Sequence, residues 1–466
     1  MIWKTPIYRF RILLEEDSDD LKEIVFDVTG SAPPFIDVKD TMKGVFKKLL
    51  DSEEGKNINN ILDFGAAKLR NTVHFLNEGK NVCAVEFEEL SKKSDDAKKL
   101  LAICKSKTNF EKLIFPHPFI EHKKKYDLVL LINVLPVMPV FAERMMVLQL
   151  LHDKIKDKRY VLWYAQKEGS YKPIREKGEQ NFGDGIWMGN NKRFKTFYKY
   201  HCVDDVNEMM ALSGFNFVKK ISAQGNDVLL YQKNSYNLFS GIVTMDKIIK
   251  AIPIDDTIED PIDIQPKIVK MKDDVKEVIP NPCELSIEKL YAETLKKLTP
   301  GPDYAEEYHR LVSQIIYRIF RGSLRNMEIK QEMDHGMKII DTVYTNSAEK
   351  GFFENLSKKF KIKCPYIILE AKNYSYDPEN PEFDQLAGRL KDNIGKFGIL
   401  VCRKIEDLSV AKERCEGYLD DGDKHIIFLT DEELLDLLEL YQDNDLDSIN
   451  DFMDKKIRPL IFKSKK

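Results

Sequence analysis

Short apolar runs separated by amphipathic segments fill the first half of the chain. Residues 60–64, 81–85 and 126–132 are dominated by Ile, Leu and Val and read as buried strands, each with a polar or glycine turn behind it. A helix is expected from the turn after residue 64 toward Asn77, and another over 143–156, followed by a strand at 160–164. Residues 216–221 and 227–231 predict a closing hairpin. Strands that alternate with helical segments imply βαβ units and a mostly parallel sheet.

The pattern then breaks. Pro253, Pro261, Pro266, Pro280 and Pro282 punctuate a stretch without steady periodicity, and repeated prolines interrupt both helices and sheet ladders. This divides the chain into an N-terminal domain over 1–234, a linker over 235–284 and a C-terminal domain over 285–466. In the last of these, Tyr308, Leu311, Val312, Ile315, Ile316 and Ile319 form one helical stripe. Strands follow at 338–344, 366–371, 398–402 and 425–430, with helices at 384–397 and 432–441. Both folded parts are α/β.

Composition narrows the function classes. A length of 466 residues suits two or three domains, and 43% hydrophobic residues suffice for folded cores. The net charge of −4 provides no overall basic field, so any nucleic-acid contact must rely on local patches. The seven cysteines are scattered without a CxxC pair and read as buried, reduced thiols of a cytosolic protein. No apolar run is long enough to span a bilayer and the N-terminus lacks a signal-peptide core, so a cytoplasmic protein without a membrane partner is expected. HExxH, GxxxxGK[ST] and GxSxG patterns are absent, which argues against zinc-protease, NTPase and α/β-hydrolase chemistry.

Candidate chemistry lies where strand 366–371 ends in Glu370-Ala-Lys372-Asn-Tyr374. Residues two apart on a strand share a face, so Glu370 and Lys372 project together. Asp341 ends another apolar run and can join them from a neighbouring strand. Two carboxylates can hold a hard divalent cation and an ammonium can position water, a combination suited to phosphodiester hydrolysis. From 304 to about 440 the chain resembles the restriction-endonuclease-like domains of the PD-(D/E)xK nuclease superfamily. The resemblance is carried by Ala305-Glu-Glu307-Tyr-His309, Gly336-Met-Lys-Ile-Ile-Asp341, Gly351-Phe-Phe353, Glu370-Ala-Lys-Asn-Tyr374, Asp384-Gln-Leu-Ala-Gly-Arg389 and Gly398-Ile-Leu-Val-Cys-Arg403. It implies that Asp341 and Glu370 bind Mg²⁺ or Mn²⁺ and that Lys372 orients the attacking water. It also implies a helix-opening Gln385 near substrate or metal, and an outer carboxylate from Glu307, with Glu306 as the alternative. The plainer readings are strand-end acids capping turns, a polar helix start and a solvated helix face. The implied activity is endonucleolytic cleavage of DNA, with RNA left open, in restriction or anti-phage defence, by a homodimer or with a partner protein. One departure is that Lys338 stands alone among Met337, Ile339 and Ile340, where the family usually carries further basic residues. The run Lys358, Lys359, Lys361 and Lys363 either compensates or is a solvated face.

In the N-terminal part, a strand leads through Asp63-Phe-Gly65-Ala-Ala-Lys-Leu-Arg70 into a helix. Gly65 allows close backbone approach to a ligand at the carboxyl edge of the sheet. Glu86 follows the next strand, 86 − 65 = 21 residues later, where an acid can take both hydroxyls of a ribose. Most of 55–234 resembles class I S-adenosylmethionine-dependent methyltransferases. That resemblance implies a Rossmann-like fold, cofactor contacts from Gly65 and Glu86, and Asn133 beside the methyl donor. Ala67 stands where the family most often keeps a second glycine. Asn133-Val-Leu-Pro136-Val-Met-Pro139 replaces the Pro-Pro-aromatic motif of DNA amino-methyltransferases, and Ala32-Pro-Pro-Phe35 lies upstream and reads as a turn. Two readings stay open for this domain. It is a sensor or scaffold beside the nuclease, or an active methyltransferase on RNA or a small molecule whose C-terminal domain binds nucleic acid.

Overall fold

The computed structural model describes residues 6–13, 21–31, 37–88, 95–165, 169–178, 180–189, 194–223, 226–234, 267–269, 277–279, 286–333, 338–420 and 422–463. The prolines of the expected linker, the 32–35 turn, Cys283, Gly336 and Met337 lie outside the described residues. Two units separate, Met1–Ser286 and Ile287–Lys466.

In the first unit a hairpin of β1 (Ile7–Leu13) and β2 (Leu21–Asp27) precedes α1 (Asp40–Leu50). The main sheet then builds through β3 (Asn60–Phe64), α2 (Arg70–Asn77), β4 (Asn81–Glu86), α3 (Asp95–Lys105), β5 (Phe110–Ile114), α4 (His117–Glu121), β6 (Tyr126–Ile132), α5 (Phe141–Lys154) and β7 (Ile155–Tyr164). A short helix α6 (Lys172–Lys177) and a three-stranded sheet of β8 (Asn181–Phe182), β9 (Gly185–Met188) and β10 (Thr196–Tyr198) interrupt it. Helix α7 (Val203–Leu212) and the hairpin β11 (Phe215–Ala223) and β12 (Asn226–Lys233) close it. The seven strands lie in the order β11-β12-β7-β6-β3-β4-β5, with β3 to β7 parallel and β12 antiparallel. Its order changes direction beside β3, so this is a doubly wound, Rossmann-like sheet, with its ligand crevice expected at the carboxyl ends of β3 and β6. The central strands β3 and β6 are buried almost throughout, as expected for strands covered on both faces.

Helix α5 is buried nearly all round and carries two charges into the interior. Glu143 accepts a hydrogen bond from the Tyr8 hydroxyl at 2.6 Å. Arg144, 1% exposed, donates to both oxygens of Asp184 at 2.6 and 2.7 Å, and its other terminal nitrogen lies 3.1 Å from His201 Nε2. These contacts tie the N-terminal hairpin and the small inserted sheet to the main domain, and the edge-to-face rings of Phe26, Phe182 and Phe197 fill the space between them. Later in the first unit, β13 (Lys267–Val269) and β14 (Glu277–Ile279) pair antiparallel.

In the second unit α8 (Ile287–Lys297) and α9 (Ala305–Ile319) precede β15 (Leu324–Met333) and β16 (Lys338–Asn346). Helix α10 (Phe352–Lys358), β17 (Tyr366–Lys372), α11 (Asn380–Ala387) and β18 (Phe397–Cys402) follow, then α12 (Leu408–Asp420), β19 (His425–Thr430), α13 (Asp431–Gln442) and α14 (Leu446–Phe462). The sheet runs β15-β16-β17-β18-β19, antiparallel from β15 to β17 and parallel from β17 to β19. All six stripe residues of α9 are buried.

Several boundaries differ from expectation. The helix expected over 143–156 ends at Lys154, and β7 starts at Ile155 rather than at residue 160. The helix expected over 384–397 is instead α11, from Asn380 to Ala387, with a Glu379–Glu382 capping box and Pro381 in its first turn. Gln385 therefore sits near its end rather than its beginning. Among the described residues no helix is long and apolar enough to cross a membrane. The six described cysteines are free thiols, five of them buried.

Arg144 is buried but Asp184 is 39% exposed, so deleting Arg144 removes packing and hydrogen bonds rather than stranding a buried charge. Arg144→Ala is expected to destabilise the first unit by about 1–3 kcal/mol, read as a lowered denaturant midpoint; an unchanged midpoint would show that Arg144 is not a structural tie.

Candidate functional site

The register of the second unit places the expected acids side by side. Thr342 of β16 pairs with Leu369 of β17, so Asp341 and Glu370 occupy the next position along the same antiparallel ladder and share a face. The Asp341 carboxylate also accepts the Ala371 N–H at 3.4 Å. Glu370 is fully buried. Lys372 Nζ donates to Glu370 Oε1 at 2.9 Å and to Gln385 Oε1 at 2.8 Å, and the Arg389 guanidinium pairs with the other oxygen of Glu370. Two cations thus neutralise one buried carboxylate, and Gln385 holds the ammonium from the opposite side. Behind Asp341, the buried His309 lies 2.8 Å from the Thr342 hydroxyl, which in turn is 2.7 Å from the Ser313 hydroxyl. Burial lowers the His309 pKa and Asp341 opposes that shift.

Asp341, Glu370, Lys372 and Gln385 are therefore brought together. Glu307 is not tied to them. It sits in the first turn of α9, half-exposed, and no hydrogen bond or ion pair joins it to either acid. Its neighbour Glu306 is engaged by Arg310 and Lys330. Among the described residues no group of three or more His, Cys, Asp or Glu side chains is arranged to hold a metal ion. The lysine run 358–363 precedes the start of β17, about 13 Å of strand from Glu370. Lys358 there is paired with Glu354, and Lys359, Lys361 and Lys363 are exposed.

Arg389 and His309 carry no role in the sequence reading. Arg389 follows Gln385 by four residues and lies in the turn just past the end of α11 at Ala387. His309 falls on the buried side of the α9 stripe, where a lone histidine is indistinguishable from a core residue.

At the N-terminal crevice Gly65 has φ +70°, and Ala67 and Leu69 have φ +46° and +66°. Alternate residues of the turn are thus left-handed, although only the first is a glycine. Left-handed backbone costs a non-glycine residue about 1–2 kcal/mol, and two contacts hold it. The Ala67 N–H donates to Glu86 Oε2 at 2.7 Å, and the Leu69 side chain is buried in the main core. The second Glu86 oxygen accepts the Phe87 N–H at 2.9 Å. Each carboxylate oxygen retains capacity for a further donor, so Glu86 can still take ribose hydroxyls. The Gly65 face is less open, because a Cβ there would stand 2.6 Å from a Val134 methyl. Asn133 ends β6 in a left-handed conformation, φ +58°, its N–H bonded to the Tyr164 carbonyl at 2.8 Å. Burial pushes the Glu86 carboxyl up to about 7. Asp63 beneath the turn accepts the Thr72 hydroxyl at 2.6 Å and is pushed up to about 6, again by burial.

Comparison with known proteins yields structural neighbours alone. No protein-family profile matches the chain, and no curated protein matches it. Solved structures align with its N-terminal part. One is the 1,6-didemethyltoxoflavin-N1-methyltransferase of Burkholderia thailandensis with bound 1,6-didemethyltoxoflavin and S-adenosylhomocysteine, 14% identical, covering 42% of this chain and 79% of that one at a TM-score of 0.31. Another is the magnesium protoporphyrin IX methyltransferase of Synechocystis PCC 6803 with bound S-adenosylhomocysteine, also 14% identical, with 42% and 82% covered and a TM-score of 0.31. An S-adenosylmethionine-dependent methyltransferase of Clostridium acetobutylicum is 9% identical, with 43% and 94% covered and a TM-score of 0.33.

Two predictions follow from the turn. Gly65→Ala adds a left-handed Cβ against Val134 and is expected to cost about 2–4 kcal/mol, whereas Ala67→Gly relieves strain and is expected to be neutral or stabilising by about 0.5 kcal/mol; urea melts of the two variants check the opposite signs. The raised Asp63 pKa means that the folded protein binds this proton more tightly than the unfolded chain, whose value is near 3.8. Its contribution is then fully present below pH 3.8 and lost as pH rises through about 6. Relative to wild type, Asp63→Asn should gain about 2–3 kcal/mol between pH about 4 and 7, and a pH-independent difference would refute this.

Proposed function

We propose that the C-terminal unit hydrolyses phosphodiester bonds in DNA, acting as an endonuclease in restriction or defence against foreign DNA. The observation that carries this reading is the cross-strand pair Asp341 and Glu370 with the Lys372 ammonium, fixed by Gln385, on the same face. Asp341 and Glu370 are the residues that would hold Mg²⁺ or Mn²⁺, and this hard, oxygen-only donor pair suits such a cation. When bound, the ion supplies charge neutralisation at the phosphate. Lys372 donates to the water that attacks phosphorus and keeps it oriented, while Gln385 limits the directions in which the ammonium can point. Arg389 pairs with the Glu370 oxygen that Lys372 does not engage. A homodimer, or a partner protein, would supply the second active site for cutting both strands.

The N-terminal unit supports a second reading, methyl transfer to RNA or a small molecule, with the C-terminal unit gripping nucleic acid. What favours it is the doubly wound strand order with Glu86 at the carboxyl end of β4. Glu86 would take the ribose hydroxyls of S-adenosylmethionine, which supplies an electrophilic methyl group, and Asn133 would lie beside that group. In a third reading, a scaffold or sensor domain needs only the fold.

Incubation of the protein with plasmid and phage DNA in Mg²⁺, in parallel with Lys372→Ala, tests the first reading. Wild-type cleavage reduced at least about 100-fold in the variant is expected, in line with loss of a group acting on the attacking water. Equal cleavage by both proteins, or none by wild type, would count against it. Titration calorimetry with S-adenosylmethionine tests the second, which predicts binding that Glu86→Ala weakens; no heat at high micromolar cofactor removes it.

A further inference from the structure

Just beyond Lys372 the chain carries a feature that catalysis does not use. The rings of Tyr374 and Tyr376 stack, with centroids 4.9 Å apart and planes 15° from parallel. Tyr376 is 58% exposed, so the outer face of the pair is open to solvent. A large exposed aromatic is costly to leave in water, and stacking two of them in parallel makes a flat apolar plate.

The plate is firmly mounted. On its upstream side Asn373 is 2% exposed, and its side-chain amide donates to the carbonyls of Thr299 and Gly301 at 3.0 and 2.8 Å, while the Gly301 N–H returns a bond to the Asn373 carbonyl at 2.8 Å. On the downstream side the Asp377 carboxylate accepts the N–H groups of Glu406 and Asp407 at 2.8–3.0 Å, and Arg414 donates to the Pro378 carbonyl at 2.6 Å. Both ends of the 374–376 segment are thus fixed, one to the 299–301 loop and the other to the 406–407 loop. The nearby acids Asp377, Glu379 and Glu382 are spent on backbone N–H groups, which lessens their repulsion of a phosphate chain.

We propose that Tyr374 and Tyr376 form a stacking platform for an unpaired nucleobase, which makes single-stranded DNA, or a strand splayed from a duplex, the preferred substrate of the adjacent site. This rests on the phosphodiester reading of Asp341, Glu370 and Lys372. Two arguments select the ligand. Every base has a π-face, but inside a duplex both faces are covered by neighbouring pairs, so away from duplex ends a flat exposed plate can engage only an unpaired base. The plate also lies within four residues of Lys372, at most about 14 Å of extended chain, close enough for one strand to reach both.

Anisotropy titrations of the full chain in EDTA, without cleavage, test the platform independently of catalysis. The probes are a fluorescein-labelled oligo(dT) of about 20 nucleotides, longer than common single-strand site sizes, and a blunt duplex of equal length. The wild type is expected to prefer the single strand. Tyr376→Ala should weaken single-strand binding roughly 5- to 100-fold with little effect on the duplex, while Tyr376→Phe stays near wild type. Because Tyr376 is largely exposed, thermal melts of the variants are expected to match wild type. Unchanged oligo(dT) binding in Tyr376→Ala, equal loss on both probes, or no wild-type preference would overturn the proposal. A protein-docking role for the plate would give the first of these results. Selective loss in Tyr376→Ala without any Mg²⁺-dependent cleavage by wild type would keep the platform and remove the nuclease reading.

Discussion

The second unit is organised around one buried charge. Glu370 lies in the middle strand of five, fully inaccessible, and moving a carboxylate out of water costs several kcal/mol unless partners compensate it. Lys372 compensates one oxygen from two residues along the same strand. Arg389 compensates the other, and it can do so only if α11 folds back across β17 and β18. That approach depends on Gly398, where a Cβ would meet Leu386 of α11 at 2.9 Å. Once α11 is seated, Gln385 faces the Lys372 ammonium. The ion pairs, the helix position and the missing side chain at residue 398 are one arrangement, and the alignment of Asp341 across the ladder completes it.

The N-terminal crevice solves a different problem with similar means. Its turn keeps a left-handed backbone at residues 65, 67 and 69 while carrying a methyl group and an isobutyl group at the last two. Glu86 restrains the turn through the Ala67 N–H, and the buried Leu69 anchors its far end. The same carboxylate that sequence spacing assigns to a ribose thus has a structural task in the absence of any ligand.

Much of this was legible in the pattern of residues, and the failures have physical causes. Strands buried on both faces, such as 126–132 and 425–430, matched their expected limits because they are nearly continuous apolar runs. β5 and β15 were missed because edge strands half-open to solvent carry Glu, Lys, Arg and Asn at the positions that would show alternation. The start of β7 was hidden by Lys156, Asp157, Lys158 and Arg159, a polar segment continuous with the charged end of α5. At the site, Glu370 and Lys372 could be placed on one face by strand periodicity, whereas Asp341 rested on the family resemblance, because the register that sets it opposite Glu370 belongs to the folded sheet. Arg389, in the turn that follows α11, and His309, on α9, could not be found, since each reaches the site through packing between segments distant in sequence.

The charge balance of the site bears on how it would hold a substrate. Asp341 and Glu370 contribute two negative charges, and Lys372 and Arg389 contribute two positive ones within hydrogen-bonding reach. Such a cluster has little net field at a distance, and the overall charge of −4 adds none that would attract a phosphate backbone. The nearest lysine run is exposed at the other end of β17. Long-range attraction is therefore a weak source of affinity here, and short-range contact must supply more of it. Stacking on a rigid aromatic plate is the short-range contact available beside Lys372. Because stacking displaces few condensed counterions, affinity built on it declines less steeply with salt than affinity built on phosphate neutralisation.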